Sequence, residues 1–195
     1  MSSDERDTRT RILEATWRLL EAHPGQEVKM AEIARAAGIS RQAVYLHFAS
    51  RAELLIATTR YVDEVKGLDA RLARLGEATT GVEMLEACVE VWGNYIPEIY
   101  AIARALMRAK ETDEAAAAAW NGTMGCLRDV CREVIDTLDR EDRLAADWSP
   151  DEAVDLFFTL ISIPNWEQLT IEHGWSTVKY VEHMKLLLRR AFVAG

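Results

Sequence analysis

Apolar residues recur along this chain at intervals of three and four, with no alternating strand pattern, so the spacing predicts helices throughout. The densest succession of start, turn and stop signals is residues 28–55, VKMAEIARAAGISRQAVYLHFASRAELL. Met30, Ile33, Ala34 and Ala37 put one apolar stripe on a short helix, and Gly38 stands where a left-handed helix end is wanted. Ser40 is placed to cap a second helix from Arg41, with Ile39 before the cap and Val44 after it as a hydrophobic staple. Val44 and Phe48 give that helix an inward edge, leaving Arg41, Gln42, Ala43, Tyr45 and His47 to face outward. Ser50 and Glu53 form a capping box ahead of Leu54 and Leu55, so a third helix starts at once. Two short helices joined by a stiff turn form a helix-turn-helix, and the outer face of the second suits a DNA major groove.

The flanking pattern fills in the fold. Residues 8–23 predict a first helix, with Ile12, Leu13, Thr16, Leu19 and Leu20 near one face and a stop at Pro24-Gly25. From Arg51 the series Leu54, Thr58, Tyr61, Val65, Leu68, Leu72, Leu75 predicts one linking helix from about 51 to 75, bent at Gly67. Thr80 and Glu83 box a helix with Leu85, Cys88, Val89, Trp92 and Ile96 inward, until Pro97 restarts the chain; Ile99, Ile102, Ala103 and Leu106 define the next. Asp113 caps a long helix through Trp120, Met124, Leu127, Cys131, Val134 and Leu138, whose Gly122 and Gly125 leave room for a neighbour or ligand. Ser149, Pro150 and Glu152 open the helix Ala153 to Ile163, apolar nearly all round, which must be covered on more than one side. A helical extension runs from Pro164 to Gly174, and Ser176 caps a last helix with Val181, Met184, Leu188 and Ala191 inward. The expected fold is all-α: a three-helix helix-turn-helix domain over 1–55, then a helical domain over 56–195.

Composition narrows the setting. A chain of 195 residues, 49% hydrophobic and 28% charged, is that of a globular protein. The N-terminal MSSDERDTRTR has no apolar run of the kind a secretory signal carries, so a cytoplasmic location is expected. The most apolar stretch, Leu156 to Pro164, is far short of the ~20 residues a membrane-spanning helix needs. The net charge of -9 opposes a nucleic-acid partner at first sight. Its distribution removes the objection: residues 1–66 hold 10 Lys plus Arg against 10 Asp plus Glu, whereas 67–195 hold 13 against 22. Arg6, Arg9, Arg11, Lys29, Arg41 and Arg51 are available to cluster on a DNA side, with Glu21, Glu27, Asp63 and Glu64 elsewhere; a solvated mixed-charge surface is the plain alternative. Cys88, Cys126 and Cys131 form no Cys-x-x-Cys pair, which favours buried free thiols over a disulfide framework or a zinc site.

The segment AEIARAAGISRQAVYLHFASRAELL resembles the N-terminal DNA-binding domain of the TetR family of transcriptional regulators. The resemblance joins the amphipathic helix, the turn Ala37-Gly38-Ile39-Ser40, the run Tyr45-Leu46-His47-Phe48 and the start Ser50-Arg51-Ala52-Glu53-Leu54, in that family's order, and covers about the first third of the chain. It implies that the second helix is the recognition helix, with Arg41, Gln42, Ala43, Tyr45 and His47 at its contacting positions. Arginine pairs with guanine, glutamine with adenine and alanine with a thymine methyl, while Tyr45 and His47 match the family's phosphate-contacting pair. Arg51 stands where the family usually has lysine, at a helix start that favours phosphate. The chain departs from the pattern at Val28-Lys29-Met30, where Ser or Thr is usual; Lys29 replaces that phosphate contact by charge.

The same resemblance makes the second domain an effector-binding and dimerisation domain. Tyr61, Trp92, Tyr95, Trp120 and Met124 are its candidate pocket residues, suited to an apolar or aromatic small molecule, with core packing as the competing explanation. Residues 153–163 and 176–192 are the candidate homodimer helices, and the expected DNA is a double-stranded palindromic operator. No cofactor or metal is expected. A helical DNA-binding regulator without an effector remains open; an all-α enzyme is disfavoured, because His23, His47, His173 and His183 are scattered and no Glu-x-x-His, phosphate loop or nucleophile elbow occurs.

Overall fold

The computed structural model describes residues 3–23 and 26–194, and among these the protein is helical with no strand. The helices are α1 (Ser3–Ala22), α2 (Met30–Ala37), α3 (Arg41–His47), α4 (Arg51–Val65), α5 (Leu68–Ala73), α6 (Gly81–Ala109), α7 (Glu114–Arg140), α8 (Pro150–Leu160), α9 (Ile163–Glu167) and α10 (Thr177–Phe192). The stop expected at Pro24-Gly25 lies outside the described residues. Several helix starts follow the side chains that supply partners for orphan backbone N–H groups. Thr80 Oγ1 accepts from Glu83 N at 3.2 Å while the Glu83 carboxylate accepts from Thr80 N at 3.2 Å. Asp113 accepts from Ala116 N at 2.9 Å, and Ser176 from Lys179 N at 3.1 Å. Ser149 and Glu152 form the reciprocal box expected of them.

Contacts divide the chain into two compact units. The first contains the described residues up to Lys66 together with Ile99–Gly122, and the second contains Gly67–Glu98 and residues from Thr123 onward. In the first, α1 packs on α2 and α4, and α2 on α3. Ile12, Leu20, Ile33, Val44, Phe48, Leu54 and Leu55 are buried there. In the second, α6, α7, α8 and α10 contribute Leu85, Ile96, Val134, Leu138, Val154, Phe157, Leu188 and Phe192 to the core. Each such side chain contributes about 1.5–3 kcal/mol by leaving water. At the edge of that core Arg189 pairs with Glu86 at 2.8 Å, and Lys185 pairs with Glu90, holding the Glu90 carboxyl below its usual range.

Three expected helix bounds are corrected. The helix expected from 51 to 75 is broken: α4 ends at Val65, Gly67 takes the left-handed values φ 65° and ψ 43°, and α5 begins beyond it. Glycine reaches that region without strain, and the apolar period that crosses it includes Val65 and Leu72, which are exposed, so burial does not hold the helix straight. At Pro97 the opposite happens. α6 runs through it without interruption, although proline removes the hydrogen bond to the carbonyl four residues earlier. Pro97 faces solvent while Ile96, Ile99 and Tyr100 are buried, so packing on the inner side outweighs the lost bond. The apolar helix expected over 153–163 ends at Leu160, and Ser162 caps α9 by accepting from Asn165 N at 3.4 Å.

Close approach occurs at glycines other than those expected. A Cβ on Gly122 or Gly125 would meet nothing within 4 Å, whereas one on Gly93 would lie 2.8 Å from Val181 Cγ2 and one on Gly81 would lie 2.8 Å from Leu138 N. Gly81→Ala therefore presses against backbone and is expected to cost about 1–3 kcal/mol, while Gly122→Ala, in open space within α7, is expected to gain up to about 1 kcal/mol. Urea unfolding midpoints of the two variants check both signs.

Candidate nucleic-acid interface

The turn between α2 and α3 is fixed by three local devices. Glu32, at the third position of α2, accepts from Lys29 N at 2.8 Å, the carboxylate half of a capping box, while no side chain takes the place of the usual Ser or Thr cap. At the other end Gly38 takes φ 69° and ψ 33°, and Ile39 N reaches back to the Ala34 carbonyl at 3.0 Å. Ser40 Oγ then accepts from Ala43 N at 3.1 Å and starts α3. Arg11 of α1 braces the turn from outside, its Nη2 donating to the Ala37 carbonyl at 2.6 Å.

Val44 and Phe48 are fully buried, and that sets the rotation of α3. At about 100° per residue, Gln42 and Leu46 lie opposite Val44, Arg41 and Tyr45 on one flank, and Ala43 and His47 on the other. Arg41, Gln42 and Tyr45 are exposed, Ala43 and His47 half-buried. The flank pair associates in itself: the Arg41 guanidinium carbon lies 5.6 Å from the Tyr45 ring centroid, and Nη2 stands 3.5 Å from the hydroxyl. Leu46 is the residue that sequence reasoning missed. It is 83% exposed, the highest figure among the large apolar side chains of the described residues. Its spacing held the signal, since a residue two positions from buried Val44 cannot share its face.

Three further candidate basic groups belong to the first unit, Arg9, Lys29 and Arg51. Arg9 of α1 places its guanidinium 4.8 Å from the Phe48 ring centroid, while Lys29 is exposed at the start of α2. Arg51 is turned inward in part: its Nε donates to the Val28 carbonyl at 3.3 Å, tying the start of α4 to the start of α2. Glu27, expected to lie away from these cations, lines the same open cleft of about 540 Å³ as Arg51. The first turn of α4 is capped by Ser50, which accepts from Glu53 N at 3.0 Å.

The five residues expected to line an effector pocket fall in different units. Tyr61 is in the first, where its hydroxyl donates to Glu14 at 3.0 Å and its ring meets Trp17 edge-on at 6.5 Å; burial and the Glu14 carboxylate push its pKa up. Trp120, also in the first, is buried with the Lys110 ammonium 5.2 Å from its ring. In the second unit Trp92 and Tyr95 are brought together, centroids 6.3 Å apart, and Met124 is half-buried. The Trp92 indole donates to the Ile161 carbonyl at 2.7 Å. Of the thiols, Cys88 and Cys131 are buried, and their mutual hydrogen bond with burial pushes the Cys131 thiol up; Cys126 is exposed, against expectation. Among the described residues no three His, Cys, Asp or Glu are grouped to hold a metal ion, and no helix is long and apolar enough to cross a membrane.

Residues 12–58 match the family described as bacterial regulatory proteins, tetR family. Over 82 residues the chain is 33% identical to the nucleoid occlusion factor SlmA of Marinomonas sp. (strain MWYL1), covering 42% of this chain and 41% of that protein. A second such factor, from Idiomarina loihiensis, is 34% identical over 64 residues, 33% of each chain. The matched stretch thus spans less than half the length of these curated relatives. Among solved structures, a putative transcriptional regulator from Saccharomonospora viridis in complex with choline superposes with a TM-score of 0.82 at 20% identity, over 97% of this chain and 100% of that one. The regulator FadR from Bacillus subtilis in complex with stearoyl-CoA gives 0.75 at 12% identity, over 93% and 98%. Likeness at such identities establishes a shared fold.

The Ser40 cap is one of the three devices that set the turn. Ser40→Ala is expected to destabilise the first unit by about 0.5–2 kcal/mol, whereas Gln42→Ala, at an exposed position with no cap to lose, should stay within about 0.5 kcal/mol of the parent. Thermal melts of both variants followed by circular dichroism decide it.

Proposed function

We propose that this protein, whose residues 12–58 are a TetR-family DNA-binding domain, is a transcriptional regulator that acts in the cytoplasm as a repressor. The observation that carries the reading is the rotation of α3, which buries Val44 and Phe48 and turns Gln42 and Leu46 directly outward between basic and aromatic flanks. In a major groove the central pair meets base edges, Gln42 suited to adenine and Leu46 to a thymine methyl, with Arg41 and Ala43 beside them. Tyr45, His47, Lys29 and the start of α4 at Arg51 meet phosphates on either side. The link from Arg51 to the Val28 carbonyl gives that arginine a second task, holding α2 and α4 in register.

A homodimer through residues 153–163 and 176–192 supplies the second recognition helix. Its support is the apolar surface there: Leu156, Phe158 and Leu160 are half-buried, and Val178, Leu186 and Leu187 are exposed, Leu186 by 48%. A two-fold pair of recognition helices fits a palindromic operator with half-sites about 34–36 Å apart or a multiple of that. The expected outcome of binding-site selection followed by titration is a palindrome whose affinity falls steeply with salt. Gln42→Ala and Leu46→Ala should change base preference by about 1–3 kcal/mol at single positions, while Tyr45→Phe should weaken all sequences alike. Uniform loss in the first two variants, or none in the third, would reverse the assignment of base and phosphate contacts.

The effector in this reading is a small molecule with an apolar or aromatic body, taken by the second unit near Trp92, Tyr95 and Met124. Because α4 stops at Val65, α6 is the helix that continues from Trp92 and Tyr95 into the residues that pack with the DNA-binding helices. Tyr61 and Trp120 belong to that receiving end. A hundredfold loss of operator affinity needs a coupling of about 2.7 kcal/mol, and operator DNA must then weaken effector binding by the same factor. Titrating effector with and without saturating operator measures both sides of that cycle; equal affinities leave the protein a DNA-binding regulator without an effector.

A further inference from the structure

In the second unit a charged group of the chain itself occupies an aromatic face. Arg71, on α5, places its guanidinium carbon 5.3 Å from the Tyr95 ring centroid and its Nη2 2.7 Å from Glu98 Oε1. Tyr95 is almost wholly buried, its ring centroid 6.3 Å from that of Trp92. Arg71 and Glu98 are each 31% exposed, so the pair is reached from solvent. On the outer side Arg71 borders an open cleft of about 260 Å³ that Val91 and Asn94 also line. The element that carries Arg71 is lightly held. Neither α5 nor the turn Arg74–Glu77 has a buried residue, and Gly67 at its start adopts φ 65° with nothing within 4 Å of a Cβ position.

An aromatic face beside a carboxylate favours a cation that is weakly hydrated. Guanidinium and methylated ammonium groups have that property, whereas sodium and a bare ammonium do not. We propose that the second unit binds a methylated organic ammonium at the Tyr95 face beside Glu98, and that Arg71 fills this site until such a cation displaces it into the neighbouring cleft. Displacement frees α5 from its ion pair, so binding reports to the segment that follows Gly67. The site adjoins the aromatic pair assigned to the effector, and its regulatory meaning rests on that reading; its existence does not.

Calorimetric titration of the full chain with tetramethylammonium chloride, against sodium chloride of equal strength and against tert-butanol as an uncharged analogue, tests it. Arg71→Ala should bind tetramethylammonium about tenfold more tightly than the parent, because the competing guanidinium is gone, and should show no such gain for tert-butanol. Adding Glu98→Gln should abolish the gain. Arg71→Gln, which keeps a polar side chain and loses the charge, should behave as Arg71→Ala and guards against a folding defect, with melting curves run on each variant. Equal affinities in parent and Arg71 variants, or an equal gain for tert-butanol, overturns the site. Binding that follows the expected order while leaving operator affinity unchanged upholds the site and removes its regulatory role.

Discussion

The burial of Val44 and Phe48 is the constraint on which the first unit depends. A helix of seven residues has little stability of its own, so α3 exists because its inner edge is buried as it packs against α2. Once that edge is fixed, rotation about the helix axis is no longer free, and every other side chain of α3 has a set direction. The caps at Ser40 and Ser50 and the left-handed Gly38 bring the chain into and out of this short element. Arg11 and Arg9 then serve two ends at once, because the same guanidinium groups that brace the turn and cover Phe48 add positive charge to the outer surface.

The second unit is built on a different economy, long helices in close approach. Gly93 lets Val181 and Tyr180 come near to α6, and Gly81 does the same for Leu138 of α7. The charged rim formed by Glu86 with Arg189 and Glu90 with Lys185 sits at the edge of this packing, where water screens it and its contribution is modest. Two indoles of this unit are matched to backbone: Trp92 donates to the Ile161 carbonyl, and Trp148 to the Ala191 carbonyl at 2.8 Å. Against that background α5 stands out, an element with no buried side chain whose arginine rests on a buried tyrosine.

The elements that local chemistry specifies were legible in the sequence. Serine, threonine or aspartate caps at Ser40, Ser50, Thr80, Asp113, Ser149 and Ser176 each bond within a few residues of themselves, so their signal is complete in the sequence window that contains it. The glycine at position 38 belongs to the same class. So does the inward edge of α3, whose two apolar residues lie four positions apart.

What the sequence could not decide was which local preference would be overruled. Pro97 is a helix breaker by its own chemistry, yet α6 continues, because burial of Ile96, Ile99 and Tyr100 outweighs one lost hydrogen bond. The period through Val65, Leu68 and Leu72 continues by its own arithmetic, yet the helix breaks at Gly67, because Val65 and Leu72 face solvent and nothing rewards continuity. The glycines at 122 and 125 look no different in sequence from those at 81 and 93, and only the neighbours at 2.8 Å distinguish the second pair. The sequence by itself therefore determined the helix-turn-helix and its outward face, since caps, turn and period all lie within a few residues of one another. The tertiary structure alone decided where long helices bend, which glycines are close contacts and which cation covers Tyr95, because those outcomes depend on partners distant along the chain.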